Sequence, residues 1–258
     1  MFAHLTPQKL FSLEGKVVLI TGGAGGIAAG LSAGFAAAGA RLVLTDRNES
    51  VERRAADLRA AGADVTTEIL DVTDAERTQA AIAAIAERAG GLDVVVNNAA
   101  IIVRKHFLDL TIEEWRRVID VDINACFTVA QAAARIMVKQ GSGRIINMGS
   151  IMGHVSRPIL TPYVTAKNAI HGFTRALAAD LAATGVTVNA LAPGYTITEF
   201  SEAGKKDFHD FVADWIPLKR WGKPEDLCGA ALLLASAAGA YVNGQVLYVD
   251  GGFLAVTK

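Results

Sequence analysis

Seven short runs of apolar, mostly β-branched residues recur along the chain, and a longer helical pattern separates each run from the next. The runs are KVVLIT (16–21), RLVLTD (41–46), VTTEIL (65–70), LDVVVNN (92–98), GRIINMG (143–149), VTVNALA (186–192) and QVLYVD (245–250). Such uniformly apolar runs are typical of strands buried on both faces of a parallel sheet. The stretches between them, such as DAERTQAAIAAIAERAG, place Ala and Ile on one helix face and charge on the other. This alternation predicts an α/β fold, with a doubly wound, seven-stranded parallel sheet.

The composition supports one globular domain over residues 1–258. Apolar residues make up 52% of the chain and charged residues 20%, so it can bury a sizeable core. The formal net charge is −1 and no basic block is present, so we expect no nucleic-acid partner. No signal-peptide pattern or uninterrupted apolar stretch of about 18 residues is visible, so we expect a cytoplasmic protein with no membrane partner. Cys126 and Cys228 lie in apolar helical surroundings, which indicates free core thiols and no metal site.

A glycine-rich turn, TGGAGGIAAG, follows the first predicted strand and opens a helix. Its glycines allow a tight turn and a close approach of the backbone to a phosphate, and the helix start offers free N–H groups. The position of the turn between a strand and a helix predicts a dinucleotide-binding site. The expected contacts in this turn are Gly22, Ala24, Gly25, Gly26 and Ile27.

Asp46 ends the second predicted strand, about 20 residues after the glycines, as in dinucleotide-binding folds. A carboxylate at this position can accept hydrogen bonds from ribose hydroxyls and repels a 2′-phosphate, which favours NAD over NADP. Arg47, the next residue, acts in the opposite direction because a guanidinium can hold that phosphate. We expect both side chains to contact the cofactor.

The segment YTITEFSEAGKKDFHDFVADWIPLKRWG (195–222) breaks the regular alternation. It is long, aromatic and mixed in charge, and it follows a strand end, where ligands bind in open α/β sheets. We expect it to be a lid over the substrate pocket. The alternative is a plain helical insertion.

The run NMGSIMGHVSRPILTPYVTAK (147–167) contains Ser150, Tyr163 and Lys167. The tyrosine and the lysine are four residues apart, so they share one face of a helix. A tyrosine with a pKa of about 10 is a poor base at neutral pH, but a nearby ammonium favours the phenolate. Tyr163 can then accept the proton of a substrate hydroxyl, and Ser150, at the end of the fifth strand, can hold the same oxygen.

Together these motifs resemble the short-chain dehydrogenase/reductase family, from Gly15 to about Leu254. The resemblance is carried by TGGAGGIA (21–28), DVTD (71–74), NNAA (97–100), the serine–tyrosine–lysine spacing, PGYTIT (193–198) and VDGG (249–252). It implies a single Rossmann-like domain, a nicotinamide cofactor and hydride transfer between an alcohol and a ketone. It also implies cofactor contacts from Asp71, Val72, Asn98, Ala99, Ala100, Tyr163, Lys167, Pro193, Thr196 and Thr198.

The chain departs from the family pattern in the fourth helix. The family usually has Asn seven residues after a Trp, whereas counting from Trp115 reaches Asp122. In the family this Asn anchors a helix kink, and its main-chain carbonyl positions a water in a proton relay. The backbone carbonyl survives the change, so we expect Asp122 to belong to the catalytic set. Its carboxylate cannot donate as an amide does and adds negative charge near Lys167.

Within the family the sequence is most similar to sugar-acid and polyol dehydrogenases, gluconate 5-dehydrogenases in particular. LFSLEGK, RPILTPY, PLKRWGKPEDL and YVNGQVLYVDGG carry this similarity. It implies that Arg104 and Arg157 face a substrate carboxylate, which a guanidinium binds through two parallel hydrogen bonds. His154 is expected to contact sugar hydroxyls, next to Ser150 and Tyr163.

Two other functions remain open. A 3-oxoacyl carrier-protein reductase, which prefers NADPH, shares the same motifs, although Asp46 and the net charge of −1 argue against it. A non-catalytic dinucleotide-binding protein is the second alternative, and the aspartate at position 122 favours it. Members of the family usually form tetramers through two long helices and the C-terminal strand region. The apolar stretch IDVDINACFTVAQAAARIM and the tail GFLAV are compatible with a homotetramer.

Overall fold

The computed structural model describes residues 5–199, 201 and 206–256. Within these ranges the sheet has seven parallel strands in the order β3-β2-β1-β4-β5-β6-β7. Each of the seven predicted runs forms one strand, which confirms the predicted single, doubly wound, Rossmann-like α/β domain. The strands are β1 (Val17–Thr21), β2 (Arg41–Asp46), β3 (Val65–Ile69), β4 (Val94–Asn97), β5 (Gly143–Met148), β6 (Val186–Pro193) and β7 (Val246–Val249).

Helices connect the strands and cover both faces of the sheet. In the described ranges they are α1 (Pro7–Leu10), α2 (Gly26–Ala37), α3 (Ser50–Ala60), α4 (Ala75–Ala89), α5 (Ile112–Ile119), α6 (Ala125–Gln140), α7 (Thr161–Asp180), α8 (Lys206–Trp215) and α9 (Cys228–Ala235). Local chemistry defines the ends of the predicted helix α4. The side chain of Asp74 caps its start by accepting the N–H of Arg77 at 3.0 Å, and Gly90 ends it with a positive φ.

The two faces of the sheet carry separate apolar layers. All five residues of β1 are buried, and alternate residues point to opposite faces. Val18 and Ile20 pack with α2, α3 and α9, whereas Val17 and Leu19 pack with α4 and α6. Burial on both faces is the physical reason why the strands of this chain lack a polar–apolar alternation.

A single π-helical turn, Asp120–Asn124, joins α5 to α6 in one continuous helical stretch. By length and composition this stretch is apolar enough to cross a membrane. Its α6 half nevertheless packs as a core helix, since Ala130, Ala133 and Met137 are fully buried in the layer shared with α4. The π turn lies beside the carboxyl ends of the strands, the usual position of functional sites in such sheets.

The strand order reverses between β1 and β4, which creates a crevice at the carboxyl edge of the sheet. The glycine-rich turn follows β1 there, and Asp46 ends β2 beside it. Asn98 follows β4, and Ser150 follows β5. The topology therefore collects the predicted cofactor and catalytic residues along one edge.

Candidate active site

A cleft of about 930 Å³ runs along this edge of the sheet. Every predicted cofactor residue lines it: Gly22, Ala24, Gly25, Gly26, Ile27, Asp46, Arg47, Asp71, Val72, Asn98, Ala99, Ala100, Tyr163, Lys167, Pro193, Thr196 and Thr198. Three further predicted residues, Ser150, Arg104 and Arg157, also line it. Short motifs that lie far apart in the chain therefore predicted nearly half of this lining.

The turn after β1 is shaped to admit a phosphate. Gly22 has φ +63°, and a Cβ there would lie 2.9 Å from the Cα of Ala99, so only glycine fits without strain. The side chain of Asn98 donates to the carbonyls of Thr21 and Gly22 at 2.9 and 3.0 Å, which ties this turn to the end of β4. Helix α2 begins next to the turn without a side-chain cap, so its first N–H groups are available to a pyrophosphate.

Asp46 lies where β2 ends, at one end of the cleft, and is half-buried. Its carboxylate accepts the N–H of Ala24 at 3.2 Å and the N–H of Asn48 at 3.1 Å. These bonds orient the carboxylate between the glycine-rich turn and the end of β2, where ribose hydroxyls bind in this type of fold. The cleft also contacts Arg53 and Arg54 of α3, which the motifs did not reveal because they belong to an ordinary charged helix pattern.

Asp71 follows β3 at the same end of the cleft. The hydroxyl and the backbone N–H of Thr73 donate to its carboxylate at 2.7 and 3.0 Å. These two hydrogen bonds, the hydroxyl bond first, hold the pKa of Asp71 below its ordinary value. Asp71 is therefore a fixed anion beside the predicted adenine site.

Helix α7 presents Tyr163 and Lys167 on one face, as predicted, and both line the cleft. Lys167 is buried, and its Nζ donates to the carbonyl of Met148 at 3.0 Å. The same Nζ lies 5.4 Å from the centroid of the Tyr163 ring. Ser150 is buried too, and its Oγ accepts the N–H of Met152 at 3.1 Å, which caps the short 3-10 turn after β5. The structure thus brings the three predicted catalytic side chains to one place.

Asp122 lies behind Lys167, outside the cleft lining. The π turn positions it there, and its Oδ1 accepts the N–H of Ile101 at 2.8 Å. Its Oδ2 is 3.5 Å from the Nζ of Lys167. Burial raises the pKa of Asp122, and the lysine opposes this rise. Burial alone would lower the pKa of Lys167, but the nearby acidic groups, Asp122 foremost, together hold it above its ordinary value.

The two predicted substrate arginines, Arg104 and Arg157, also line the cleft. The guanidinium of Arg157 lies 4.3 Å from the centroid of the Phe208 ring, a cation–π contact. His154 is not brought to the cleft: it is exposed, and its ring meets Tyr248 edge-on at 6.0 Å. The prediction for His154 rested on its residue type alone, which does not indicate the path of the loop.

Aromatic residues of the 195–222 segment form one wall of the cleft, a feature that the sequence motifs did not specify. Tyr195, Phe208 and Trp221 line it, with the ring centroid of Tyr195 5.4 Å from Trp221 and 6.2 Å from Phe208. The indole N–H of Trp221 donates to the carbonyl of His209 at 3.0 Å, which fixes α8 over this wall. Residues 200 and 202–205 of the segment lie outside the described residues.

The segment begins and ends side by side. The N–H of Gly222 donates to the carbonyl of Tyr195 at 2.8 Å, and the N–H of Ile197 donates to the carbonyl of Gly222 at 2.9 Å. The side chain of Arg220 binds Asp226 through two bonds of 2.6 and 2.8 Å. Together these contacts join the two ends of the segment to each other and tie its C-terminal end to the turn that follows.

Known proteins match this chain over nearly its whole length. A family model described as enoyl-(acyl carrier protein) reductase matches residues 22–254. The gluconate 5-dehydrogenase of Gluconobacter oxydans (strain 621H) is 39% identical over 246 residues, which cover 94% of this chain and 96% of that protein. The galactitol 2-dehydrogenase (L-tagatose-forming) of Cereibacter sphaeroides is 41% identical over 251 residues, which cover 95% and 98%.

A solved structure shares the architecture at similar identity. The gluconate 5-dehydrogenase from Burkholderia cenocepacia J2315, in complex with NADP and tartrate, is 38% identical and superposes with a TM-score of 0.93. The match covers 98% of this chain and 100% of that chain. The resemblance drawn from the motifs is confirmed: the chain belongs to the short-chain dehydrogenase/reductase family, as an oxidoreductase that acts on CH–OH groups with a nicotinamide cofactor.

Proposed function

We propose that this protein interconverts a secondary alcohol of a sugar acid and the corresponding ketone, with Tyr163 as the acid–base group. The observation that carries the proposal is the convergence in one cleft of Tyr163, Ser150 and Lys167 with two arginines, Arg104 and Arg157. The first three side chains suit the handling of a hydroxyl proton. The two guanidinium groups suit a carboxylate on the same substrate.

Proton transfer is assigned to Tyr163. In the oxidation direction its phenolate accepts the proton of the substrate hydroxyl, while the Oγ of Ser150 holds the same oxygen. The ammonium of Lys167, 5.4 Å from the tyrosine ring centroid, favours the phenolate over the phenol. A nicotinamide cofactor, when bound, supplies the acceptor for the hydride that leaves the same carbon. In the reverse direction Tyr163 returns the proton to the carbonyl oxygen.

The residues along the cleft fit the successive parts of such a cofactor. The turn Gly22–Ile27 and the uncapped start of α2 suit the pyrophosphate, and Gly22 leaves room that a Cβ would fill. The adenosine half is assigned to residues after β2, β3 and β4: Asp46, Arg47, Asp71, Val72, Asn98, Ala99 and Ala100. The nicotinamide half is assigned to residues after β5 and β6, together with α7: Tyr163, Lys167, Pro193, Thr196 and Thr198.

For the cofactor we propose NAD in preference to NADP. The carboxylate of Asp46 is oriented by the N–H groups of Ala24 and Asn48, at the point where a 2′-phosphate would have to sit. Three arginines of the same end, Arg47, Arg53 and Arg54, would attract that phosphate. A solved relative holds NADP, so NADP is the competing cofactor.

The 195–222 segment is proposed to be a substrate lid. Its aromatic side chains form a wall of the cleft, and its two ends are tied together at Tyr195 and Gly222. A segment held at both ends can move over a pocket without disturbing the sheet. If the segment is instead a plain helical insertion, none of its residues should contact the substrate.

We further propose a cytoplasmic homotetramer. Phe127 and Val138 of α6 expose 50% and 40% of their surface, and a second copy of the chain would cover them. The edge strand β7 is half-exposed over its whole length, unlike the buried strand β6 beside it. The free thiols Cys126 and Cys228 suit a reducing compartment.

The direct test is a turnover panel that follows the absorbance of the reduced nicotinamide. The panel pairs NAD and NADP with D-gluconate and other sugar acids and with galactitol, and pairs NADPH with a 3-oxoacyl thioester. We expect reduction of NAD with at least one sugar acid. Consumption of NADPH with the thioester alone would favour the 3-oxoacyl carrier-protein reductase alternative. Cofactor binding without any turnover would favour the non-catalytic alternative.

A further inference from the structure

The side chain of Asp122 forms a buried ion pair with the proposed catalytic lysine. The two side chains are 0% and 4% exposed, and Oδ2 lies 3.5 Å from the Nζ of Lys167. Within the described residues this oxygen accepts no hydrogen bond, whereas Oδ1 accepts the N–H of Ile101. One carboxylate oxygen is thus used to hold the π turn in place, and the other faces the ammonium.

Few other ionisable groups of the described chain face Lys167. They are Tyr163 of its own helix and Cys126 of α6, with His171 one turn further along α7. Burial raises the pKa of Cys126 to about 12, so this thiol stays neutral at ordinary pH. Burial also lowers the pKa of His171, which keeps that ring neutral. Asp122 is therefore the carboxylate that faces the lysine in this part of the described structure.

We propose that Asp122 is a positioning residue that sets the pH range of the reaction by offsetting the charge of Lys167. This inference rests on the proposed function, in which the lysine ammonium favours the phenolate of Tyr163. A carboxylate at 3.5 Å from the ammonium weakens that effect, since charges in a buried site are screened little by water. With an amide at position 122 the ammonium, which still donates to the carbonyl of Met148 at 3.0 Å, would lose its nearest countercharge, and the phenolate would then form at lower pH.

The variant Asp122→Asn tests the inference with little change in shape. Its side-chain oxygen can still accept the N–H of Ile101, so the π turn is retained. For alcohol oxidation, kcat/KM falls at acidic pH as the phenolate takes up its proton. We expect this acidic limb to move to lower pH by about one unit. At a given pH on the limb, kcat/KM should then be roughly tenfold higher than in the wild type. If Asp122→Asn folds poorly, Asp122→Ser removes the same charge and should give the same shift.

The matched control is Asp120→Asn in the same π turn. Asp120 is exposed, and its carboxylate accepts the side-chain N–H of Asn124 at 2.8 Å and does not face the lysine. We expect its acidic limb to stay in place. A limb that does not move in Asp122→Asn, that moves to higher pH, or that moves equally in Asp120→Asn would overturn the inference.

A second measurement does not depend on turnover. The absorbance of tyrosinate is titrated in each protein, and the same titration with Tyr163→Phe added is subtracted, which isolates Tyr163. We expect the isolated signal to rise at lower pH in Asp122→Asn, and an unchanged midpoint would contradict the inference. If no sugar acid is oxidised, the proposed function fails, but this titration still decides the role of Asp122.

Discussion

The guanidinium of Arg157 lies over the ring of Phe208, 4.3 Å from its centroid. Arg157 belongs to the loop between β5 and α7, and Phe208 belongs to α8 in the 195–222 segment. The contact therefore joins the loop that follows the proposed catalytic serine, Ser150, to the proposed lid. A cation–π contact of this kind contributes about 0.5–2 kcal/mol and restricts the direction of the guanidinium.

Phe208→Leu removes the ring face and keeps an apolar side chain in the cleft wall. If Arg157 binds a substrate carboxylate, KM for a sugar acid should rise about three- to tenfold because the guanidinium is no longer held. We expect kcat and the KM for a neutral polyol to change little. Steady-state kinetics with both substrates provide the measurement.

The matched control for this prediction is Phe211→Leu on the same helix. Phe211 is 55% exposed, and its ring lies tilted against Trp215 at 5.4 Å, away from the cleft lining. Phe211→Leu should leave the KM values for the sugar acid and for the polyol near those of the wild type. An equal loss for the sugar acid and the polyol in Phe208→Leu would show that the contact does not serve the carboxylate.

Asp46→Ser should change the choice of cofactor. The variant removes the carboxylate that repels a 2′-phosphate, while the neighbouring Arg47 remains to bind it. We expect kcat/KM to rise at least about tenfold with NADP and to fall with NAD. Asp64→Ser, an exposed aspartate before β3, is the control and should leave the ratio unchanged. A wild-type protein that already prefers NADP would contradict the assignment of Asp46.

Gly22→Ala should destabilise the turn after β1. The residue has φ +63°, and its new Cβ would lie 2.9 Å from the Cα of Ala99 in the backbone of the next turn. Left-handed backbone and crowding each cost about 1–3 kcal/mol, so we expect the free energy of unfolding to fall by about 2 kcal/mol or more. Urea unfolding measures this change.

A second glycine serves as the control for that experiment. Gly229 lies in α9, and a Cβ there meets no atom within 4 Å. Gly229→Ala should leave stability unchanged or raise it by about 0.5 kcal/mol. Equal losses in both variants would mean that the tight approach of Gly22 to Ala99 has no special cost.

Most of the fold follows from local patterns in the sequence. The seven strands were predictable because strands buried on both faces need apolar residues at every position. The face shared by Tyr163 and Lys167 was predictable because helical spacing brings residues four apart together. The cap at Asp74 follows from the same local chemistry.

Contacts between distant segments were not predictable in the same way. The family resemblance indicated that Asp122 lies near Lys167, but the π turn that places it there follows from no local residue pattern. The stacking of Arg157 on Phe208 depends on how α8 packs over the cleft. The exposed position of His154 depends on the path of a loop. These features arise from tertiary packing, which sequence spacing alone does not predict.

Catalysis in the proposed function depends most directly on the phenol oxygen of Tyr163. Tyr163→Phe removes that oxygen and keeps the ring, so the fold and the cofactor site should survive. Tyr241→Phe, at a fully exposed position, is the matched control and should behave as the wild type. The decisive measurement is the turnover number with D-gluconate and NAD in the three proteins, with cofactor affinity measured alongside. We predict a loss of about 10³-fold in Tyr163→Phe with cofactor affinity retained, and a variant that keeps more than about a tenth of wild-type turnover would contradict the account.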